Sequence, residues 1–258
     1  YRMYQGEYLA KYYSILPDIL KEKVIEPFIN YLPDSRDKKH SEYIRRLKKF
    51  TKGMSGSLAE RFYGWQEIFP SATRQRLIKH NLRDKISVQE GKEIISQKLN
   101  EFTGDNINRM LYVDVKNSLP GDMLTKVDLM SMRNSLEVRI PFLDHEVVEF
   151  AFEMEGSVKL KGLKRKYILM ETFKDILPPM LHNRPKWGFE MPIGAWLRTE
   201  LRFLIDEFLS RDFINKQGIF EYEVIDGLIK KHLSKKMDTS WQLWNLIVFQ
   251  HWYKMYFL

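Results

Sequence analysis

Gly121-Asp-Met-Leu-Thr-Lys-Val-Asp128 leads into Ser135-Leu-Glu-Val-Arg-Ile-Pro-Phe-Leu-Asp144, and the reading of this stretch decides the fold. Two helix-like segments meet at Pro141, with Glu137, Arg139 and Asp144 set among Leu136, Val138, Ile140 and Leu143. Charges this close to aliphatic side chains are expected to pair or to face a ligand, because burying them unpaired is costly. Further on comes a second dense segment, Asn183-Arg-Pro-Lys-Trp-Gly-Phe-Glu-Met-Pro-Ile193, ordered basic, proline, basic, aromatic, glycine, aromatic, proline.

Helical periodicity dominates the rest, with no convincing strand run, so the expected class is mainly α. Helices are expected around 5–16, 18–31, 40–52, 57–68, 71–82, 88–102 and 105–118. Others are expected around 122–135, 145–154, 164–176, 194–209, 221–235 and 239–257. The first carries Tyr8, Leu9, Tyr12, Tyr13 and Leu16 on one stripe. Pro17, Pro33, Pro70, Pro120, Pro141, Pro178, Pro185 and Pro192 fall at the proposed junctions, where a missing amide does least harm. Ser57, Asp105, Asp144 and Thr239 read as N-caps.

At 258 residues the chain can bury a real core and is most economically one domain over 1–258, with two as the alternative. It has no cysteine, which excludes a disulfide framework, a thiolate nucleophile and a Cys-ligated metal, and fits a reducing cytoplasm. The opening residue is Tyr rather than Met, with no charged-then-apolar leader, which reads as a trimmed piece. The formal charge of +8 is concentrated between Arg36 and Lys52. Such a run could steer a polyanion, or form a solvated helix face with Tyr43, Ile44, Leu47 and Phe50 turned inward. No nucleic-acid-binding signature accompanies it. The terminal Trp241–Leu258 stretch is broken by Gln242, Asn245, Gln250, His251 and Lys254, too polar for a membrane span.

Among residues that could carry chemistry, Lys186 follows Arg184-Pro185, whose ring stiffens the backbone beneath two cations. An ammonium is a compact point charge suited to phosphate. Alone, the tripeptide is a weak signal and reads as exposed surface. Lys166 is expected to open a helix on or near its buried stripe, where a helix start favours anions, or to snorkel into solvent. Asp128, Glu137 and Arg139 read either as a structural ion-pair network or as a substrate wall. The histidines show no metal spacing, no metal ligand set is expected, and no glycine falls in a phosphate-loop frame.

In order, these segments resemble the asparagine synthetase (glutamine-hydrolysing) family, in the second half of its C-terminal synthetase domain. Leu119–Asp144 resembles one family signature, Gly162–Phe173 the lysine helix next to it, and Arg184–Leu197 a further signature. Trp241–Trp252 resembles the aromatic closing helix, and Tyr1-Arg-Met-Tyr4 resembles the segment just after the family's acidic glycine-rich loop. The likeness spans nearly the whole chain and is strongest from 119 to 197.

The resemblance implies the helical part of an adenine-nucleotide α-hydrolase-like (ATP pyrophosphatase) synthetase domain, with the parallel sheet largely missing. It implies activation of the aspartate side-chain carboxylate by Mg-ATP, release of pyrophosphate, and displacement of AMP by ammonia. By position, Lys186 would hold the α-phosphate and Lys166 the polyphosphate, the two catalytic and nucleotide-binding residues. Asp128, Glu137 and Arg139 would line or brace the aspartate side. Mg2+ would arrive with ATP. Ammonia would come from glutamine at an N-terminal glutaminase domain. That domain is absent from this sequence, as are the Ser-Gly-Gly-x-Asp-Ser and Ser-Gly-Glu-Gly-Gly-Asp-Glu loops, so the isolated chain is expected to be inactive. Losing the sheet would expose apolar surface and favour self-association, including a homodimer. The rivals are another acceptor acid, as in β-lactam synthetase, and a non-catalytic helical interaction or basic nucleic-acid-binding module.

Overall fold

The computed structural model describes residues 2–32, 43–44, 47–51, 54, 56–85, 90–182 and 191–258. The chain divides into two compact units: Tyr1–Pro17 with Gly53–Trp65 and Gly91–Lys186, and Asp18–Lys52 with Gln66–Glu90 and Trp187–Leu258. The described residues are mainly helical, and their strands are limited to one two-stranded hairpin.

In the first unit, α1 (Arg2–Tyr13) and α2 (Leu58–Gln66) bury Tyr4, Ala10, Ala59, Phe62 and Trp65. The buried stripe of α1 is Tyr4, Glu7 and Ala10, whereas Leu9 and Tyr12 of the expected stripe are exposed. The reason is a charge that hydropathy cannot credit. Glu7 is buried because Arg61 donates to its two oxygens at 3.0 and 2.9 Å and Asn106 Nδ2 donates at 2.8 Å.

The N-terminus of α2 is closed by a reciprocal capping box: the Ser57 amide donates to Glu60 at 2.8 Å, and the Glu60 amide donates to Ser57 Oγ at 3.3 Å. The Lys92 ammonium, then the Ser57 amide, holds the Glu60 carboxyl down to about 2. A depressed carboxylate stabilises the fold above its unfolded value, near 4.5, and loses that contribution as pH falls toward about 2. Glu60→Gln is therefore expected to lower the urea midpoint at neutral pH, with the gap to wild type closing between pH 4.5 and about 2. A gap independent of pH would contradict this.

Next come α3 (Glu90–Glu101) and α4 (Asn106–Val113), the latter capped by Asp105, which accepts from the Ile107 and Asn108 amides. The second Asp105 oxygen accepts from the Gly156 amide at 2.8 Å, across a gap so narrow that a Cβ at Gly156 would sit 2.2 Å from Asp105 Oδ1. Phe102, Tyr112 and Phe152 cluster with ring centroids 5.2 to 6.3 Å apart, Phe102 stacked on Tyr112 and Phe152 tilted or edge-on to both.

Beyond α4 the chain widens into a π-type helix, Asp114–Leu124, that carries Pro120 in its interior rather than at a junction as expected. Proline offers no amide and its ring crowds the preceding turn, so a widened turn is the accommodating solution. The same device recurs before Pro27, where the expected helix over 18–31 runs unbroken but widens to a π-type segment at Lys21–Ile25.

From there the unit runs through α5 (Thr125–Met132), α6 (His145–Glu153), the hairpin β1 (Leu160–Lys161) and β2 (Lys164–Arg165), and α7 (Tyr167–Thr172). The pairing is antiparallel, Leu160 against Arg165 and Lys161 against Lys164. The helix expected from 164 starts late, at Tyr167, because β2 takes two residues and Lys166 has a left-handed backbone.

The second unit packs α8 (Arg202–Phe208), α9 (Arg211–Gln217), α10 (Tyr222–Leu233) and α11 (Ser240–Phe257) around a core that includes Leu197, Ile214, Ile225 and Leu243. Thr239 precedes α11 without capping it; its hydroxyl donates to Leu228 O at 2.8 Å instead, while Asp238 accepts from the Ser240 amide. Helix α11 buries Leu243, Leu246, Ile247 and Gln250, one face at helical spacing. No described helix is long and apolar enough to cross a membrane.

Gln250 is fully buried and exchanges two hydrogen bonds with Gln217, at 2.5 and 2.9 Å. Gln250→Leu would leave the Gln217 amide without its partner, and is expected to cost about 1–3 kcal/mol. Replacing both glutamines by leucine should recover most of that loss in thermal unfolding, because the penalty comes from the orphaned partner.

Candidate active-site groove

The groove is assembled by a chain reversal in the first unit. Helix α5 ends with Ser135 in the left-handed region, φ 57°, and the Leu136 amide reaches back to Ser131 O at 3.0 Å. Residues 136–140 then carry no regular secondary structure, with Ile140 extended, and Pro141–Leu143 form a short 3-10 turn. Asp144 caps α6 by accepting from the Glu146 amide at 3.0 Å. Thr125 Oγ1, also on the groove wall, donates to Pro120 O at 2.6 Å.

Between these walls lies an open groove of about 710 Å³, lined by Leu124, Thr125, Asp128, Arg139 and Asp144 among others. The structure thus brings Asp128 and Arg139, two of the sequence-derived candidates, to one site. Glu137 is not part of the wall; it forms an ion pair with Arg139. The expected burial of these charges is not what the fold shows. The Arg139 and Glu137 side chains are 87% and 65% exposed, and Leu136, Val138 and Ile140 are exposed beside them. An ion pair in that much water is weak, so Arg139 can exchange Glu137 for an incoming carboxylate or phosphate at small cost. Thr125 is a polar groove residue that sequence reading did not single out, whereas Asp144 is one of the charges expected to pair or to face a ligand. Asp144 was legible as a cap, but only the reversal at Ser135 turns it toward the groove.

Lys166 precedes α7 with φ 54° and ψ 34°, an uncommon conformation for a non-glycine residue. It is exposed rather than on a buried stripe, and it is not part of the groove wall. With only six residues in α7, its charge rather than the helix end is what it offers an anion. Beside it, Lys161 Nζ lies 3.0 Å from the Tyr167 hydroxyl and over its ring; the phenol holds this ammonium above its ordinary value. Lys159 is lowered by burial, with Nζ 2.5 Å from Asn108 Oδ1. Lys186, with Arg184, Pro185 and Trp187, lies outside the described residues, as does most of the basic run 36–52. Among the described residues no group of three or more His, Asp or Glu side chains is arranged to hold a metal ion.

The family model for asparagine synthase matches residues 5–254. The chain belongs to the asparagine synthase family. Within it, asparagine synthetase [glutamine-hydrolyzing] 1 of Bacillus subtilis (strain 168) is 31% identical over 202 residues, covering 77% of this chain and 30% of that protein. Asparagine synthetase [glutamine-hydrolyzing] 3 of the same organism is 28% identical over 219 residues, 71% and 35% of the two chains. A fungal amidase, chyE of Penicillium rubens, is 26% identical over 132 residues, 48% and 20% of the two. The chain spans about a third of the length of the asparagine synthetases it matches. No solved structure gives a significant match.

Proposed function

We propose that this asparagine synthase family chain is the C-terminal, mainly helical portion of the synthetase domain of an ATP-dependent amide-forming ligase. It would be one domain over 1–258, completed by an adenine-nucleotide α-hydrolase-like sheet and a glutaminase domain in the full-length protein, working in the cytoplasm. The observation that carries the reading is the family match over residues 5–254, which contains a groove lined by both Asp128 and Arg139.

In the proposed reaction an oxygen of the aspartate side-chain carboxylate attacks the α-phosphorus of ATP, and pyrophosphate leaves. Ammonia, drawn from glutamine, then attacks the acyl carbon; AMP leaves and a proton is lost to give asparagine. Lys186 would hold the α-phosphate as charge builds, and Lys166 would contact the polyphosphate. Arg139 would take a substrate carboxylate, with Asp128 opposing the substrate ammonium and Glu137 bracing Arg139. The donor set suits a metal carried by the nucleotide: cationic side chains are on offer to phosphates, and Mg2+ bound to ATP would neutralise their charge. The chain alone, without the remaining walls, is proposed to be inactive.

The test is pyrophosphate release from Mg-ATP by the full-length protein, with and without aspartate. Aspartate-dependent release supports the reading. Release that depends on a different carboxylic acid selects another acceptor in place of aspartate. Absence of release with any acid refutes the ligase, and steep salt dependence of duplex binding would then identify a nucleic-acid binder.

A further inference from the structure

The hairpin that leads into Lys166 is too short to hold its own geometry. It has two pairs of residues around a turn at Gly162–Leu163, and an isolated ribbon of that size is marginal in water. Its turn needs the left-handed backbone of Gly162, φ 62°, and it hands the chain directly to Lys166, itself left-handed without glycine's freedom. Conformations of this kind persist only where the surroundings over-determine them.

The surroundings include α1. Gln5 Nε2 donates to Leu163 O at 2.7 Å, a contact between residues 158 positions apart in sequence. One turn further along α1, the Tyr8 hydroxyl stands 3.9 Å from where a side chain at Gly162 would begin. The first strand of the hairpin is tied twice, by buried Leu160 at its open end and by Lys161, beside the turn, on Tyr167, the residue after Lys166. Helix α1 in turn is fixed by its Glu7 to Arg61 and Asn106.

We propose that Gln5 is a positioning residue for Lys166: through the Leu163 carbonyl, α1 sets the hairpin and so the origin of that lysine side chain. The inference rests on the reading of Lys166 as a polyphosphate contact. Gln5→Glu is nearly isosteric but turns an acceptor toward the carbonyl, so the tie becomes a repulsion. Gln5→Lys keeps a donor of sufficient reach.

The experiment is a double-mutant cycle in the full-length protein, with ATP-dependent pyrophosphate release and amide exchange over Lys164–Tyr167 as readouts. Gln5→Glu is expected to raise KM for ATP by about three- to tenfold, the span of one hydrogen bond, with kcat little changed and the thermal midpoint retained. Exchange over Lys164–Tyr167 should quicken, Gln5→Lys should restore both readouts, and Gln5→Glu should add nothing on a Lys166→Ala background. An equal penalty on that background, or no rescue by lysine, would overturn the proposal, since Gln5 would then act independently of Lys166. A silent Gln5→Glu beside an impaired Lys166→Ala refutes the tie alone. A silent Lys166→Ala in an active protein refutes the phosphate reading of that lysine, and the proposal falls with it.

Discussion

Lys186→Ala in the full-length protein is expected to lower kcat for aspartate-dependent pyrophosphate release by about 10²- to 10³-fold, the scale of losing one preorganised charge at a developing anion. When a carboxylate attacks the α-phosphorus, negative charge gathers on its non-bridging oxygens and on the departing pyrophosphate. A fixed ammonium there is worth more in the transition state than in the bound substrate, so the loss should fall on kcat more than on KM. Lys186→Arg keeps the charge with a different, planar geometry and should retain intermediate activity. A variant that only raises KM would demote Lys186 to a ground-state contact. Unchanged kinetics would remove it from the site.

The second large effect is structural. Arg61→Leu leaves the Glu7 carboxylate buried with its bidentate partner gone, and the expected cost is about 3–5 kcal/mol. Arg61→Lys should fall between, because a single ammonium cannot occupy both oxygens as the guanidinium fork does. Urea unfolding reads both. If Arg61→Leu unfolds at the wild-type midpoint, Glu7 must be satisfied without the fork, and the account of the α1 stripe fails.

What sequence could reveal divides along the range of the forces. Ser57, Asp105 and Asp144 were legible as caps because a cap is settled within three residues. The α1 stripe was misassigned because Glu7 is buried by a partner 54 residues away, and no local periodicity encodes that. Pro120 looked like a boundary because proline breaks α-helix, yet the helix absorbs it by widening. Thr239 has cap chemistry but spends its hydroxyl on Leu228, a contact made by folding. At the site, Asp128 and Arg139 were picked out by type and proximity to a proline junction. That they share a groove follows from the left-handed turn at Ser135, which no composition argument supplies. Their exposure was missed for a similar reason: aliphatic neighbours in sequence are not neighbours in a core.

On the proposed reading of Lys166 as a polyphosphate contact, its left-handed backbone sets two selective pressures against each other at a single codon. On conformational grounds alone glycine is the better occupant, by about 1 kcal/mol. Any procedure that optimises this chain for thermal endurance would be drawn to that exchange and would delete the ammonium in making it. A stabilised descendant carrying glycine at 166 would fold more readily and have one cation fewer for a phosphate, a trade invisible to any screen that scores solubility or melting alone.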